Sequence, residues 1–381
     1  MSEFVVPDYS GASIQNLANT LLSHFGAVPR GPKLRLDLDL GDRVVLILID
    51  GLGYKDLVSS MGDSLPVSRL YRITSVFPTT TSTVLTTLFT GLSPGQHGVL
   101  GPNVYIKEIG TIVNTLSMGP VIGERDGLHK MGYDLRKLFP IKSTIFEELS
   151  NMGIRSRVYV PKGLSGGLSR ITYAGAEIVE YVTLYDAIIN ASKFLSDYKV
   201  GFVHIYITTV DSAAHKYGPD SEECGVVIRE TVDSVIRMAK KYMADSTVLI
   251  TADHGHDSVK INTKANDVQG LMKFLNVPPY GDARAIYLKL NDKASIDELT
   301  SLLSRYNVTG RFISRDDAVS MGLFGEVSSE MVDRVGDVVF IPNSGSSFIY
   351  LYKPDNEELL TLKGQHGGLT ERELYIPLIQ L

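Results

Sequence analysis

Cysteine is almost absent from this 381-residue chain, with Cys224 standing alone. No intramolecular disulfide can form, which fits a reducing compartment. Cys224 itself reads as a small surface or semi-buried residue on a helix. Positive charge is not concentrated anywhere. The formal net charge is −6 and no dense Lys/Arg stripe occurs, so a nucleic-acid groove built on phosphate neutralisation is not expected. Bound divalent metals would still supply local positive charge that the formal count omits. Long apolar runs are missing too. The longest, Val44 to Ile49, falls far short of the roughly 20 residues that span a bilayer. The opening Met1-Ser2-Glu3-Phe4 has neither the basic stretch nor the apolar core of a signal peptide. Together these absences lead us to expect a cytoplasmic protein without membrane contact. Nothing in the sequence specifies an oligomeric state. At 44% hydrophobic and 21% charged, the composition is that of a globular chain able to bury a sizeable core.

What is present begins with Val44-Val45-Leu46-Ile47-Leu48-Ile49, a continuous apolar run rich in β-branched residues. Such a run reads as a strand buried on both faces, the pattern of a parallel sheet. Gly201 to Ile207 and Thr247 to Ile250 read the same way. Helical spacing separates them, at Lys142 to Met152, Leu184 to Asp197 and Glu222 to Met243. The alternation predicts right-handed βαβ crossovers and a three-layer α/β/α sandwich with a mostly parallel central sheet. Residues 258–345 look different, with short strands near 285–290, 311–313 and 338–341 around a helix near 296–304. We expect a small α/β insertion there, bordering the active site. Residues 1–257 and 346–381 then form the core.

Each of the three core strands leads into a candidate metal ligand. Asp50 follows the first, Asp211 and His215 follow the second, and Asp253 and His254 follow the third. In open α/β sheets ligands gather at the carboxyl ends of strands. Asp50 alone would also suit a turn or a helix cap. Gly51-Leu52-Gly53 is no dinucleotide loop, because the third glycine is missing. Asp211 and His215, four apart, face one way if a helix turn follows the strand. His366, between glycines in Gly364-Gln365-His366-Gly367-Gly368, reads as a ligand or as a loop histidine. His204 reads as a core or supporting residue, and His256 and Asp257 as supporting or solvent-facing. His24, His97 and His129 take structural readings. Phe77 to Thr90 holds seven threonines and a serine. It looks like a helix start, where free backbone N–H groups suit a phosphoryl group. The pattern does not say which hydroxyl attacks. Three Asp and three His are too many for one tetrahedral ion and right for two ions with open positions. Mixed N and O donors suit zinc, with manganese or cobalt as alternative occupants.

These motifs resemble the alkaline phosphatase superfamily, and within it the nucleotide pyrophosphatase/phosphodiesterase (type I phosphodiesterase) group. The resemblance implies an alkaline-phosphatase-like core. It also implies a nucleophilic threonine three residues after a proline and ten before a glycine, which here is Thr81, between Pro78 and Gly91. By the same resemblance Asp211, His215 and His366 hold one metal. Asp50, Asp253, His254 and the oxygen of Thr81 hold the other. Asn103 stands one residue from the expected place of a phosphoryl-binding asparagine. Thr81 is followed by Ser82-Thr83 rather than the Phe-Pro-Asn common in the group.

The implied activity is two-metal hydrolysis of a small-molecule phosphate ester, nucleotides included, through a phosphothreonine-type intermediate. A phosphodiesterase or nucleotide pyrophosphatase leads. A phosphomonoesterase or phosphonate hydrolase on the same core is the alternative, followed by a metal-binding module without catalysis. A monoester carries extra negative charge and favours an added Lys or Arg. A diester favours an apolar or aromatic wall. Lys130, Arg136 and Lys162 are candidates for the former, and several tyrosines for the latter.

Overall fold

The computed structural model describes residues 4–381; Met1-Ser2-Glu3, part of the leader reading, lie outside the described residues. At its centre is the strand Arg43–Ile49, whose residues from Val44 onward have no solvent exposure. Burial on both faces demands neighbours on both edges and layers above and below. Gly201–Ile207 pairs with it in parallel on one edge and Thr247–Thr251 on the other. Arg155–Pro161 and Glu177–Tyr181 continue the parallel sheet outward. On the other side Tyr375–Gln380 runs antiparallel to Thr247–Thr251, and Arg69–Thr74 is antiparallel to that strand in turn. Six strands of this seven-stranded sheet therefore run one way, and the C-terminal strand alone opposes them.

Helices cover both faces. Ile14–His24, Thr81–Thr90 and Ile145–Asn151 pack against one another in one layer, and Tyr54–Met61, Leu184–Ser196 and Glu222–Tyr242 in the other. Several start where the sequence caps them. Thr144, Thr183 and Ser221 each accept a backbone N–H of the first turn, satisfying donors that the helix cannot. Cys224 lies on the last of these helices and is buried, deeper than the semi-buried reading. Among the described residues no helix is long and apolar enough to cross a membrane.

A second seven-stranded sheet sits beside the first. Its order is Gly310–Ser314, Val338–Pro342, Ala285–Leu288, Tyr280–Asp282, Asn103–Ile106, Thr111–Asn114 and Gly119–Pro120. It is not confined to residues 258–345, because the stretch 103–120 supplies three of its strands. The joint is the antiparallel pairing of Gly281 with Asn103. Helix Ile296–Arg305 backs this sheet, packing Leu299 and Leu303 with Phe340 and Phe348.

One buried cation ties the two sheets together. Arg284 is fully buried in the turn between Tyr280–Asp282 and Ala285–Leu288. Its Nε donates to Glu373 Oε1 at 2.7 Å and its Nη2 to Glu373 Oε2 at 3.1 Å. Nη2 also lies 3.0 Å from Asp257 Oδ2. Nη1 donates to the carbonyls of Ser346 and Asn343. Replacing Arg284 by Met would leave two buried carboxylates uncompensated. Breaking such a pair costs about 3–5 kcal/mol, so urea unfolding of Arg284→Met should show a loss of that order. A loss no larger than the ~1 kcal/mol of a surface pair would remove Arg284 from this role.

Candidate active site

Three adjacent strands end at one place, and their backbones are joined there. The Asp50 N–H donates to the Ile207 carbonyl at 2.8 Å, and the Asp50 carbonyl accepts the Asp211 N–H at 3.0 Å. Gly51 takes φ +75°, and a Cβ at that position would lie 2.8 Å from Asp211 Cα. Only glycine lets the two strand ends approach so closely. Asp211 falls in the first turn of helix Thr209–Tyr217, with His215 one turn on. Asp253 and His254 occupy the turn after Thr251. His366 arrives from a loop stitched to Thr79: Gly367 N–H donates to Thr79 Oγ1 at 3.0 Å, and Thr79 N–H donates to the Gly367 carbonyl.

Two groups of ligating atoms result. Asp50, Asp253 and His254 form one, and Asp211, His215, His256 and His366 the other. In the first, His254 Nε2 lies 3.6 Å from Asp50 Oδ1 and 3.4 Å from Asp253 Oδ2. In the second, Asp211 Oδ1 lies 3.3 Å from His215 Nε2 and 3.1 Å from His256 Nε2. The groups touch where His254 stacks on His366 with ring centroids 3.9 Å apart.

Three of the histidines share one hydrogen-bonding pattern. His215 Nδ1 faces the Gly364 carbonyl at 2.8 Å, His254 Nδ1 the Gly255 carbonyl at 3.1 Å, and His366 Nδ1 the Thr79 carbonyl at 3.0 Å. A carbonyl only accepts, so Nδ1 carries the proton in each ring and Nε2 presents its lone pair inward. Asp211 Oδ1, Asp253 Oδ2 and both ring nitrogens of His256 are buried without a hydrogen bond. Leaving such groups unpaired is costly. The donor set fits divalent cations held by mixed N and O ligands.

Electrostatics agree. Burial raises the Asp50 pKa well above the carboxylate range, and the nearby Asp253 and Asp211 push it further. Burial also holds His366 well below the usual histidine range, reinforced by His254 and His215. At Asp211 burial acts upward, but the adjacent His215 and His256 together outweigh it and keep the carboxyl well below its usual value.

Thr81 opens the helix Thr81–Thr90. Its Oγ1 lies 3.3 Å from His254 Nε2 and 3.5 Å from Asp50 Oδ1. It faces a cavity of about 800 Å³ between the two sheets, which Asn103 also lines. Asn103 Nδ2 donates to the Gly281 carbonyl at 3.4 Å. The cavity wall is largely apolar, with Leu116, Val121, Leu164 and Leu168 in its lining together with Tyr280, Ile349, Tyr350 and Tyr352. Lys130, Arg136 and Lys162 do not line it. Arg125 does, with its guanidinium donating to the Gly166 carbonyl.

The structure sorts the other histidines. His204 is buried inside its strand, with Nδ1 on the Leu46 carbonyl at 3.0 Å. His97 is buried against Thr87, at 2.9 Å. His24 and His129 are exposed. His256 is not solvent-facing: it is buried inside the second ligand group, next to Asp211. Asp257, the neighbour of His256, turns away and accepts the Gly345 N–H at 2.9 Å. Sequence reasoning passed over Tyr206, whose hydroxyl donates to Asp50 Oδ2. It also passed over Asp282, which lines the cavity beside His366. The i, i+2 spacing of His254 and His256 was a usable signal; neither Tyr206 nor Asp282 carried one.

The pattern of the type I phosphodiesterase / nucleotide pyrophosphatase family matches residues 44–369, spanning every residue of both ligand groups. The chain belongs to that family. A stretch of 90 residues is 33% identical to ectonucleotide pyrophosphatase/phosphodiesterase family member 7 of Rattus norvegicus, and equally to that of Mus musculus. That stretch is 22% of this chain and 20% of each relative, so the match spans about a fifth of the relatives' length. Among solved structures, murine ectonucleotide pyrophosphatase/phosphodiesterase 5 superposes with a TM-score of 0.65 at 17% identity, over 88% of this chain and 87% of that one. Phosphonoacetate hydrolase from Sinorhizobium meliloti, bound to phosphonoformate, gives 0.64 at 18% identity, over 88% and 89%. These likenesses show a shared fold.

The crowding of Asp50 has a measurable consequence. Its folded-state pKa lies above the unfolded value, so its contribution to stability is present at low pH and lost as pH rises through the folded value. In metal-free protein Asp50→Asn removes that loss. The variant should melt higher than wild type at neutral and alkaline pH, with the difference vanishing at acid pH. Added divalent ions should reverse the order. Thermal melts across pH, with and without chelator, check this, and an Asn variant less stable at every pH would contradict it.

Proposed function

We propose that this chain is a metal-dependent hydrolase of phosphodiesters, nucleotide pyrophosphates included, acting through a covalent bond to Thr81. The observation that carries the reading is the position of Thr81 Oγ1. It stands at a helix start, 3.3 Å from His254 Nε2 and 3.5 Å from Asp50 Oδ1, and faces the cavity. One ion would be held by Asp211, His215 and His366, with His256 beside them. The other would be held by Asp50, Asp253 and His254 with the Thr81 oxygen. When bound, the two divalent ions, for which zinc suits the donors best and manganese or cobalt are alternatives, lower the pKa of a hydroxyl and of water and neutralise phosphoryl charge.

The chain's own residues supply position. Thr81 Oγ1, its proton lost to solvent, attacks phosphorus in line with the leaving oxygen. The bond from phosphorus to that oxygen breaks, the oxygen takes up a proton, and the phosphoryl group stays on Thr81. Water then attacks from the vacated side, the bond to Oγ1 breaks, and the hydroxyl is restored. Free N–H groups of the first turn after Thr80 and the Asn103 amide suit non-bridging oxygens.

The wall of the cavity supports a diester. A dianionic monoester calls for added cations, and the lining offers Arg125 amid leucines and tyrosines. Relatives point both ways. An inactive threonine-to-alanine form of murine family member 5 is bound to AMP, and the S. meliloti enzyme to phosphonates. The single free Cys224 supports a cytoplasmic setting.

Thr81→Ala should lower turnover of bis-p-nitrophenyl phosphate by at least roughly 10³-fold while metal content, read by elemental analysis, stays at two ions per chain. Wild-type turnover in that variant would overturn the nucleophile. Chelator-sensitive preference for the diester over p-nitrophenyl phosphate supports the substrate reading. Preference for the monoester would make the chain a phosphomonoesterase or phosphonate hydrolase instead.

A further inference from the structure

The two ligand groups are unequal in charge. Asp50 and Asp253 give one of them two carboxylates, whereas Asp211 is the only carboxylate of the other. A second carboxylate stands just behind that poorer group. Asp282 ends the strand Tyr280–Asp282 of the second sheet, immediately before the turn that carries Arg284. Its Oδ1 accepts the Ala283 N–H at 2.7 Å, which fixes the side chain. Its Oδ2 is buried with no hydrogen bond of good geometry. That oxygen lies 3.5 Å from His366 Nδ1, the same atom that faces the Thr79 carbonyl.

The approach is built in. Gly367 takes φ +110°, and a Cβ there would come within 3.0 Å of Asp282 Cβ. Glycine at 367 therefore lets the carboxylate reach the ring. The clamp of Arg284 on Glu373 holds the turn in place, and Glu373 Oε1 also accepts the Gly368 N–H at 2.8 Å. The loop bearing His366 and the turn bearing Asp282 thus share one anchor.

We infer that Asp282 is a positioning residue for the metal held by Asp211, His215 and His366, acting through His366 as a second, outer carboxylate. A carboxylate beside the Nδ1–H of a ligating histidine orients the ring and strengthens its Nε2 as a donor. It also brings the negative charge at this ion to the pair that Asp50 and Asp253 already give the other. The inference rests on the two-ion reading above.

The test is titration of metal-depleted protein with Zn²⁺ alone, by calorimetry and by competition with a chromogenic chelator. Wild type should bind two ions; failure to bind two would defeat the two-ion reading itself. Asp282→Asn keeps the acceptor for the Ala283 N–H. It should weaken one of the two ions by about 10–100-fold and leave the other unchanged. In a His366→Ala background, Asp282→Asn should cost nothing further, because its route is gone. Two unchanged affinities in Asp282→Asn would overturn the inference, as would equal losses at both ions. Should Asp282→Asn fail to fold, judged by circular dichroism, Asp282→Ser is titrated in the same way. Failure of both to fold would also overturn it, since the carboxylate would then serve the turn and not the metal.

Discussion

The guanidinium of Arg284 is the contact on which the arrangement of this molecule turns. It is fully buried and engages two carboxylates and two carbonyls. The partners come from three pieces of chain. Glu373 sits just before the C-terminal strand of the main sheet, and Asp257 follows the loop of Asp253 and His254. Asn343 and Ser346 flank the turn that follows the second-sheet strand Val338–Pro342. A buried charge is tolerated only when its hydrogen-bonding groups are met, and here meeting them forces the two sheets into one relation. The cavity between them, and the distance from Thr81 to its opposite wall, follow from that relation.

The same constraint explains how the ligand loops are kept still without regular structure. Glu373 accepts the Gly368 N–H and the Thr370 N–H while paired with Arg284. Thr79 bonds Gly367 in both directions. His366 is therefore held from the core side by Thr79 and from the other side through Glu373. Precise ligand geometry on a loop requires such outer support. The stability given up by crowding Asp50 against Asp253 and Asp211 is localised at the strand ends, where cations are expected, and the clamp lies outside that crowd.

The main sheet was legible in the sequence because burial on both faces leaves an uninterrupted apolar run. Val44 to Ile49, Gly201 to Ile207 and Thr247 to Ile250 all became central strands. Arg155–Pro161 was not, since Arg155 and Arg157 interrupt it and its outer neighbour is the sheet edge. The strands between Asn103 and Pro120 are two to four residues long, and the first of them pairs with a hairpin 178 residues away. No local pattern announces a partner at that distance, so the second sheet read as a shorter insertion. At the site, strand ends and the Asp211–His215 spacing pointed to one place. Histidine identity did not separate His256 from His204, because both follow or lie within apolar strands. His204 is buried with Nδ1 on the Leu46 carbonyl and Nε2 facing the Tyr173 hydroxyl, whereas both nitrogens of His256 are buried unpaired, and only the fold shows that difference.

The division between the sheets bears on how substrate choice and chemistry are separated. Every residue of the two ligand groups comes from the carboxyl edge of the main sheet or from the loop before its last strand. The facing wall, with Tyr280, Ile349, Tyr350 and Tyr352, comes from the second sheet, the strand Ser346–Ile349 and the segment after it. Side chains there can change shape and polarity without disturbing a ligand, because none of them belongs to either ligand group. Asp282 is the exception. It stands at the end of a second-sheet strand yet touches the histidine ligand, so this one position couples the wall to the metal side. A substitution at Tyr280 or Gly281 that shifts the strand end by even a few tenths of an ångström moves that carboxylate as well. The hairpin Tyr280–Leu288 is therefore where a change in substrate preference and a change in metal affinity would be hardest to separate.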